Sequence, residues 1–246
     1  MEGLRILPAG DRALVAEFGN IIDEGINNQV HALAKKLASE AVPGVLELVP
    51  TFRSLLIYYD PSSITYHDLA QRIRQLSESS AAAGSSGRRI WRIPCCYGSH
   101  FGPDLPALIR YTGLSRDEII AIHSSVDYKI YMLGFLPGFV YLGGLDNRIE
   151  IPRLPSPRVR IPKGSVGIGG NQTGVYPLDS PGGWRLIGST PVDFYDPQRE
   201  KPILCDAGDY IRFVPITSSD YYDIRQMILR GTYRLTVQEG GGSYVS

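Results

Sequence analysis

The chain has 246 residues, of which 43% are hydrophobic and 20% are charged, so it can bury the cores of two domains. Lysine plus arginine and aspartate plus glutamate both number 25, which gives a net charge of zero. This balance excludes a strong overall attraction to nucleic acid or to an anionic membrane.

Residues 1–78 predict a small α+β domain. Apolar residues recur at helical spacing from Ile26 to Ala38, with Asp23 as a candidate N-cap, and a second amphipathic helix is expected to begin at Ser62 or Ser63. Both helices are expected on one side of an antiparallel sheet, since that arrangement buries both apolar stripes. Around the helices, apolar runs bounded by turn residues predict four strands and the order ββαββα, at 4–7, 13–18, 45–49 and 54–59.

Residues 77–88 are rich in glycine, serine and alanine and predict a flexible linker. Residues 89–240 then predict a mostly-β domain that carries a few helices. Helices are expected at 104–112 and at 115–124, where Ser115 and Glu118 form a capping-box pattern. A last helix is expected from Asp220 behind Ser218 and Ser219. Short runs broken by glycine and proline predict a closed barrel or a sandwich, with strands at 88–94, 128–135, 139–142, 165–168, 174–176, 184–188, 210–214 and 233–237.

The stretch Gly164–Trp184 combines glycine, proline and aromatic residues with an embedded set of polar side chains. Glycine permits close approach of a backbone to a ligand, and proline stiffens the loops between. Rigid loops of this kind commonly form binding surfaces, so we predict a functional groove here. The alternative is that these residues only form the tight turns of a barrel. The polar residues favour the groove.

A self-sufficient active site is poorly supported by the sequence. His123 paired with Ser165 or Ser180 would resemble a hydrolase, but the G-x-S-x-G pattern is absent, and a histidine at a helix end commonly packs or caps. No phosphate-binding G-x-x-x-x-G-K-[ST] motif occurs. If ATP is used, we expect another chain to bind it.

Location and metal binding are predicted from the same residues. We expect a cytoplasmic protein, because no basic leader with an apolar run and no stretch of about 20 apolar residues is found. Cys95, Cys96 and Cys205 cannot all pair, which favours a reducing compartment. No cysteine or histidine lies at metal-ligand spacing, so no metal site is expected.

The segment LGFLPGFVYLGGLDNRIEIPRLPSPRVRIPKGSVGIGGNQTGVYPLDSPGGWRLIGSTP strongly resembles the allophanate hydrolase subunit 1 family, which includes KipI and PxpB proteins. The resemblance implies an α+β N-terminal domain followed by a cyclophilin-like β-barrel. It also implies partners that share a cleft with this chain, a homologous barrel subunit of the KipA/PxpC type and a LamB/YcsF-like subunit of the PxpA type, with ATP bound mainly by those partners.

Carried onto this sequence, the resemblance and the polar set nominate the following residues. The catalytic candidates are His123, Arg160 and Gln172, with His123 as acid or base. The candidates for substrate binding are Ser165, Tyr176, Ser180, Trp184 and Arg185. The candidates for partner binding are Phe135, Phe139 and Tyr141. Two positions depart from the family pattern, since Ser189 stands where arginine is usual and Lys163 where a small residue is usual.

Three functions are compatible with these features. The first is the PxpB-type component of an ATP-dependent 5-oxoprolinase that cleaves 5-oxo-L-proline to L-glutamate. The second is a KipI-type inhibitor of a sensor histidine kinase, in which an apolar groove grips a kinase helix. The third, a prolyl isomerase, follows only from analogy of fold. The charged rim favours the enzyme component, because a purely apolar groove would avoid the desolvation cost of those charges.

Overall fold

The computed structural model describes residues 4–78 and 89–239. The chain divides into two compact units, Met1–Ser86 and Gly87–Ser246, and each is described by itself. The predicted linker 77–88 falls almost wholly outside the described residues. Its first two positions, 77 and 78, belong to the last turn of a helix.

The N-terminal unit is a four-stranded antiparallel sheet with two helices, in the order ββαββα. The elements are β1 (Arg5–Pro8), β2 (Ala13–Glu17), α1 (Glu24–Ser39), β3 (Val45–Pro50), β4 (Ser54–Tyr59) and α2 (Tyr66–Glu78). The strand order across the sheet is β1-β2-β4-β3, and all three strand pairs are antiparallel. Side chains alternate along β2 and β4, so that Leu14, Ala16, Leu55 and Ile57 are buried with one face of each helix.

The two helices of this unit begin in different ways. Asp23 caps α1 as predicted, since its carboxylate accepts a hydrogen bond from the Ile26 amide at 2.9 Å. The predicted cap of α2 was wrong. Ser62 and Ser63 both donate to the carboxylate of Asp60, and α2 begins after Thr65. The two serine hydroxyls bond to Asp60 and not to helix amides, because an aspartate two or three residues before a serine forms a local turn with it.

The described part of the second unit is a closed β-barrel with three α-helices. The elements are β5 (Arg89–Tyr97), α3 (Leu105–Thr112), α4 (Arg116–Ser124), β6 (Tyr128–Leu133), β7 (Val140–Gly143), β8 (Arg158–Ile161), β9 (Ser165–Gly169), β10 (Gln172–Val175), β11 (Ser180–Gly182), β12 (Arg185–Ser189), β13 (Tyr210–Pro215), α5 (Ser218–Leu229) and β14 (Val237–Glu239). Strand β12 pairs with β9 on one side and with β5 on the other, which closes seven strands in the order β12-β9-β10-β7-β6-β13-β5. Only the β5–β13 pair among these seven is parallel.

The fold class is therefore the expected one, a small α+β part and a cyclophilin-like barrel. The capping box of Ser115 and Glu118 at α4 is present as predicted. Helix α5 is capped by Thr217, one residue before the predicted serines, because Thr217 and Asp220 form a second capping box. The sequence patterns did not predict β8 and β11, which pair only with each other outside the barrel sheet.

Within the described ranges, no helix combines the length and the apolar composition that crossing a bilayer requires. The interior of the barrel is filled by alternate residues of its strands, such as Val140 and Leu142 of β7 and Val166 and Ile168 of β9. The intervening residues of β7, β9 and β10 lie on the outer face. That outer face carries the predicted site.

Candidate functional site

The side chain of Trp184 packs against three glycines of the outer face, with its indole on Gly169 and Gly174 and its Cβ beside Gly167. A Cβ atom added to Gly169 would stand 2.4 Å from the indole Nε1, and one added to Gly174 would stand 3.0 Å from its Cζ3. At Gly167 the Cβ of Trp184 itself would be 3.3 Å away. The glycines of the 164–184 stretch thus admit a tryptophan side chain, where the sequence suggested a ligand.

Trp184 belongs to an outer aromatic cluster, which we define as Phe139, Tyr141, Tyr176 and Trp184. The ring of Phe139 is central, with centroids 4.9, 5.2 and 5.6 Å from those of Tyr141, Tyr176 and Trp184. The contacts to Tyr176 and Trp184 are edge-to-face, which is a favourable geometry for aromatic quadrupoles. Ile161 and Leu186 complete the packing.

The cluster fills the predicted groove. Tyr176 and Trp184 are only 2% and 4% exposed, whereas Tyr141 remains partly accessible. Burial raises the pKa values of the Tyr176 and Tyr141 hydroxyls. The predicted partner residue Phe135 differs from all of these, because it is 64% exposed, with its ring edge-on to that of Phe139 at 5.9 Å between centroids. The surface available to another molecule is therefore the rim of the cluster, at Phe135 and Tyr141.

Arg160 on β8 lies at a second edge of this region and is already paired. Its guanidinium donates twice to Asp179, at 2.6 and 2.8 Å, and Asp179 also accepts the Lys163 amide at 2.8 Å. These contacts, first the Lys163 amide and then Arg160, hold the pKa of the Asp179 carboxyl below its usual value. An anionic ligand of Arg160 would have to displace Asp179.

The two predicted serines are buried, and neither contacts His123. Ser165 donates its hydroxyl to the Pro162 carbonyl at 2.7 Å, which anchors the turn before β9. The Ser180 hydroxyl has no hydrogen-bond partner among the described residues. Gln172 begins β10 opposite Gly169, and Arg185 begins β12 opposite Ile168. These last two residues thus lie at the same end of the strands that flank β9, both partly exposed.

His123 lies in the barrel core, fully buried, and not at the outer face. Its Nδ1 is 2.7 Å from the Tyr97 hydroxyl, and its Nε2 is 2.9 Å from the Thr173 hydroxyl. Thr173 donates its own hydrogen to the Gly167 carbonyl at 3.0 Å, so it must accept from Nε2–H. Tyr97 then donates to Nδ1. The hydrogen-bond network assigns neutral His123 as the Nε2–H tautomer.

This arrangement argues against the predicted acid–base role of His123. Both ring nitrogens are occupied, the ring stacks on Phe213 at 4.7 Å, and burial lowers its pKa to about 3. A buried, neutral imidazole with both nitrogens satisfied links α4 to β5 and β10. The signal in the sequence was its position at the end of an amphipathic helix, which also predicts packing.

Three charged residues that sequence reasoning missed surround Trp184. Arg158 of β8 pairs with Asp104 at 2.7 Å, and the second oxygen of Asp104 accepts the Leu186 amide at 2.7 Å. Arg153 places its guanidinium 5.7 Å from the centroid of the Trp184 ring. The I-P-R-L-P-S-P-R run contains both arginines, and its density of proline was the available signal for a rigid, surface-bound segment.

The described parts of the chain hold no metal-binding group beside this outer face, and one further concave region is mostly apolar. No group of three histidine, cysteine, aspartate or glutamate residues there could hold a metal ion. A concave region of about 510 Å³ lies in the N-terminal unit between the end of α1 and β3, lined by residues 37, 38 and 41–48. Glu47 is its one charged lining residue among those described, so it lacks the converging polar groups that orient a substrate.

A family model described as "Carboxyltransferase domain, subdomain C and D" matches residues 4–205. The chain belongs to this family. It is also 42% identical over 231 residues to the B-type component of 5-oxoprolinase from Bacillus subtilis, covering 88% of this chain and 95% of that protein. The match thus extends over both units and nearly the whole length of the relative, as the resemblance in the sequence had indicated.

Solved structures with the same fold include longer chains. The crystal structure of the protein TTHA0988 matches with a TM-score of 0.75 and 37% identity, over 84% of this chain and 40% of that one. The urea amidolyase of K. lactis matches with a TM-score of 0.76 and 21% identity, over 96% of this chain and 16% of that one. The chain therefore spans less than half the length of each of these two proteins.

Proposed function

We propose that this chain is the PxpB-type component of an ATP-dependent 5-oxoprolinase complex, and that it forms one wall of a cleft that partner subunits complete. The observation that carries the proposal is the 42% identity to the B-type 5-oxoprolinase component of Bacillus subtilis over 95% of that protein. Similarity along the whole length supports a shared role more strongly than a shared fold does.

The chemistry explains why ATP is needed. The lactam of 5-oxo-L-proline is a stable amide in a five-membered ring. Transfer of the γ-phosphoryl group of ATP to the lactam oxygen turns that oxygen into a leaving group. A first water attacks the carbonyl carbon, and the ring C–N bond opens with the nitrogen taking up a proton, which leaves γ-glutamyl phosphate. A second water then displaces phosphate from that carbon, so that glutamate, ADP and phosphate are the products. Each step needs acid–base groups and a nucleotide site.

The geometry supports a dependent component. The predicted acid–base residue His123 is enclosed in the core, and the hydroxyl of Ser165 is used within its own turn. The outer face offers instead an aromatic wall with charged edges. Phosphoryl transfer and proton transfer are therefore assigned to partner subunits, a homologous barrel subunit and a LamB/YcsF-like subunit. TTHA0988, whose chain continues well beyond the part that matches, supports a barrel that works beside further domains.

The test uses the intact assembly. The chain is co-expressed with its genomic neighbours, and ATP hydrolysis and glutamate release are measured with and without 5-oxo-L-proline. We expect both products to depend on 5-oxo-L-proline and to be lost when this chain is omitted. Activity that persists without the chain would exclude the proposed role. If the purified chain instead inhibits histidine kinase autophosphorylation at micromolar concentration, the inhibitor function replaces the proposal.

A substitution at Phe135 tests which surface of this chain contacts the partner subunit. Exposed aromatic residues at the centre of an interface commonly contribute about 2 kcal/mol, so Phe135→Asp is expected to weaken association of the complex about 30-fold. The backbone of Phe135 has φ of +62°, a conformation that aspartate tolerates, so the variant should fold. Leu229→Asp is the matched control, because Leu229 is 65% exposed on α5 and is not among the residues packed in the cluster. Association is measured by analytical ultracentrifugation. Unchanged association of Phe135→Asp would place the interface elsewhere, and an equal loss in both variants would show a non-specific effect of the added carboxylate.

A further inference from the structure

The segment 151–154 is fixed to the barrel by two backbone hydrogen bonds. The Gly170 amide donates to the Ile151 carbonyl at 2.9 Å, and the Leu154 amide donates to the Gly183 carbonyl at 2.7 Å. Arg153 lies between these two anchors. Its backbone is therefore ordered before any ligand arrives, which lowers the entropy that binding would cost.

This anchoring places the exposed guanidinium of Arg153 over the Trp184 ring, with 5.7 Å between Cζ and the ring centroid. Over residues 4–78 and 89–239, Arg153 has no carboxylate partner. Nearby arginines differ in this respect, since Arg158 and Arg160 of β8 each pair with an aspartate, at 2.7 and 2.6 Å. Arg153 is thus a positioned cation whose counter-ion is missing from the described part of its own chain.

Arg185 adds a second positive charge to the same place. Its Nε donates to the carbonyl of Pro152, the residue before Arg153, at 3.3 Å, and it too lacks a carboxylate partner within the described ranges. Arg153 is also close enough to Tyr141 and Tyr176 for its charge to oppose the rise in their pKa that burial causes. Two guanidinium groups beside aromatic rings form a site for a small anion.

We propose that Arg153, assisted by Arg185, binds the carboxylate of a small cyclic acid whose ring lies against the accessible part of Tyr141. This inference rests on the proposed function, because 5-oxo-L-proline carries one carboxylate on a five-membered ring. A guanidinium binds a carboxylate through two parallel N–H···O hydrogen bonds, and the aromatic edge accepts the ring's methylene groups. Arg153 is then a substrate-binding residue that selects a charged lactam over a neutral one.

The reconstituted complex with Arg153→Gln tests this assignment. Loss of a charge-assisted hydrogen bond weakens binding by about 10- to 100-fold, so KM for 5-oxo-L-proline is expected to rise by that factor. We expect kcat and the KM for ATP to change less than about threefold, because the arginine contacts neither the reacting bond nor the nucleotide. Arg153→Lys keeps the charge but not the bidentate geometry, so its KM for 5-oxo-L-proline should lie between that of the wild type and that of Arg153→Gln. Calorimetric titration with 5-oxo-L-proline, in the absence of ATP, should show the same loss of affinity.

Two controls make the outcome decisive. Arg148→Gln removes an exposed arginine that pairs with Asp146, and it should leave both KM values unchanged. The neutral lactam 2-pyrrolidinone lacks the carboxylate, so any turnover of it should be insensitive to Arg153→Gln. An unchanged KM for 5-oxo-L-proline, or a rise confined to ATP, would overturn the assignment, the latter in favour of a phosphate site. A wild-type complex without 5-oxoprolinase activity would instead refute the proposed function.

Discussion

The burial of His123 makes the stability of the barrel depend on pH. Burial lowers its pKa from 6.5 to about 3, so below pH 6.5 the unfolded chain binds a proton that the folded chain does not. The contribution to stability is therefore full well above pH 6.5 and decreases as the pH falls toward 3. Below pH 6.5 each pH unit approaches a cost of about 1.4 kcal/mol, and because the unfolded imidazole is already half protonated at pH 6.5, acidification from pH 6.5 to 4.5 costs about 2.3 kcal/mol from this residue alone.

The measurement compares the wild type with His123→Gln, whose amide can accept from Tyr97 and donate to Thr173 without titrating. Urea unfolding is followed by tryptophan fluorescence, which reports only the barrel because Trp91 and Trp184 are the two tryptophans of the chain. We expect the free energy of unfolding of the wild type to fall by about 2.3 kcal/mol more than that of the variant between pH 6.5 and 4.5.

Comparing how steeply the free energy of unfolding changes with pH in the two proteins removes two complications. Carboxylates also lose stabilising contacts in acid, but they do so equally in both proteins. His123→Gln itself can cost stability at neutral pH, and that constant offset does not alter the slope. His100→Gln, which removes an exposed imidazole of the same unit, should retain the wild-type slope. Parallel curves for the wild type and His123→Gln would refute the argument that burial keeps His123 neutral.

Two further substitutions test the packing and the capping of the barrel unit. Gly169→Ala should cost about 1–3 kcal/mol, because its Cβ would overlap the Trp184 indole, and it should shift the fluorescence maximum. Gly183→Ala, whose Cβ would find no atom closer than 3.8 Å, should be nearly neutral in the same unfolding assay. Ser115→Ala should lower the free energy of unfolding by about 1 kcal/mol, because the N-cap of α4 is lost. Glu118→Gln keeps an acceptor oxygen for the Ser115 amide and should lower it by less. Equal losses in the two variants would argue against the capping box.

Local signals predicted the elements well. Helix α1 with its Asp23 cap, strand β4 at Ser54–Tyr59 and the Ser115 capping box were all readable, because each depends on residues within one or two turns of the chain. The start of α2 was misplaced for an equally local reason. Serine, threonine and aspartate all lie between 60 and 65, and periodicity alone does not decide which hydroxyl meets which carboxylate.

The sequence predicted which stretch forms the site, but not how its side chains are arranged. The 164–184 stretch does form the outer face, yet its glycines admit Trp184, and its two buried aromatics fill the space expected for a groove. The sequence did not predict a role for Arg153, because that role depends on its contact with Trp184, which lies 31 positions further along the chain. A pattern read along the chain shows neither that contact nor the absence of a nearby carboxylate.

The sequence by itself determined the two parts of the chain, most of its elements and, through one long motif, its family. Only the tertiary structure decided that β12 closes the barrel onto β5, that His123 is enclosed between Tyr97 and Thr173, and that Arg153 is left without a counter-ion in the described residues. The physical reason is distance along the chain. Helix periods and caps are set by neighbouring residues. Burial and strand pairing are set by residues that folding brings together from far apart, from 26 positions for Tyr97 and His123 to 93 for Cys96 and Ser189.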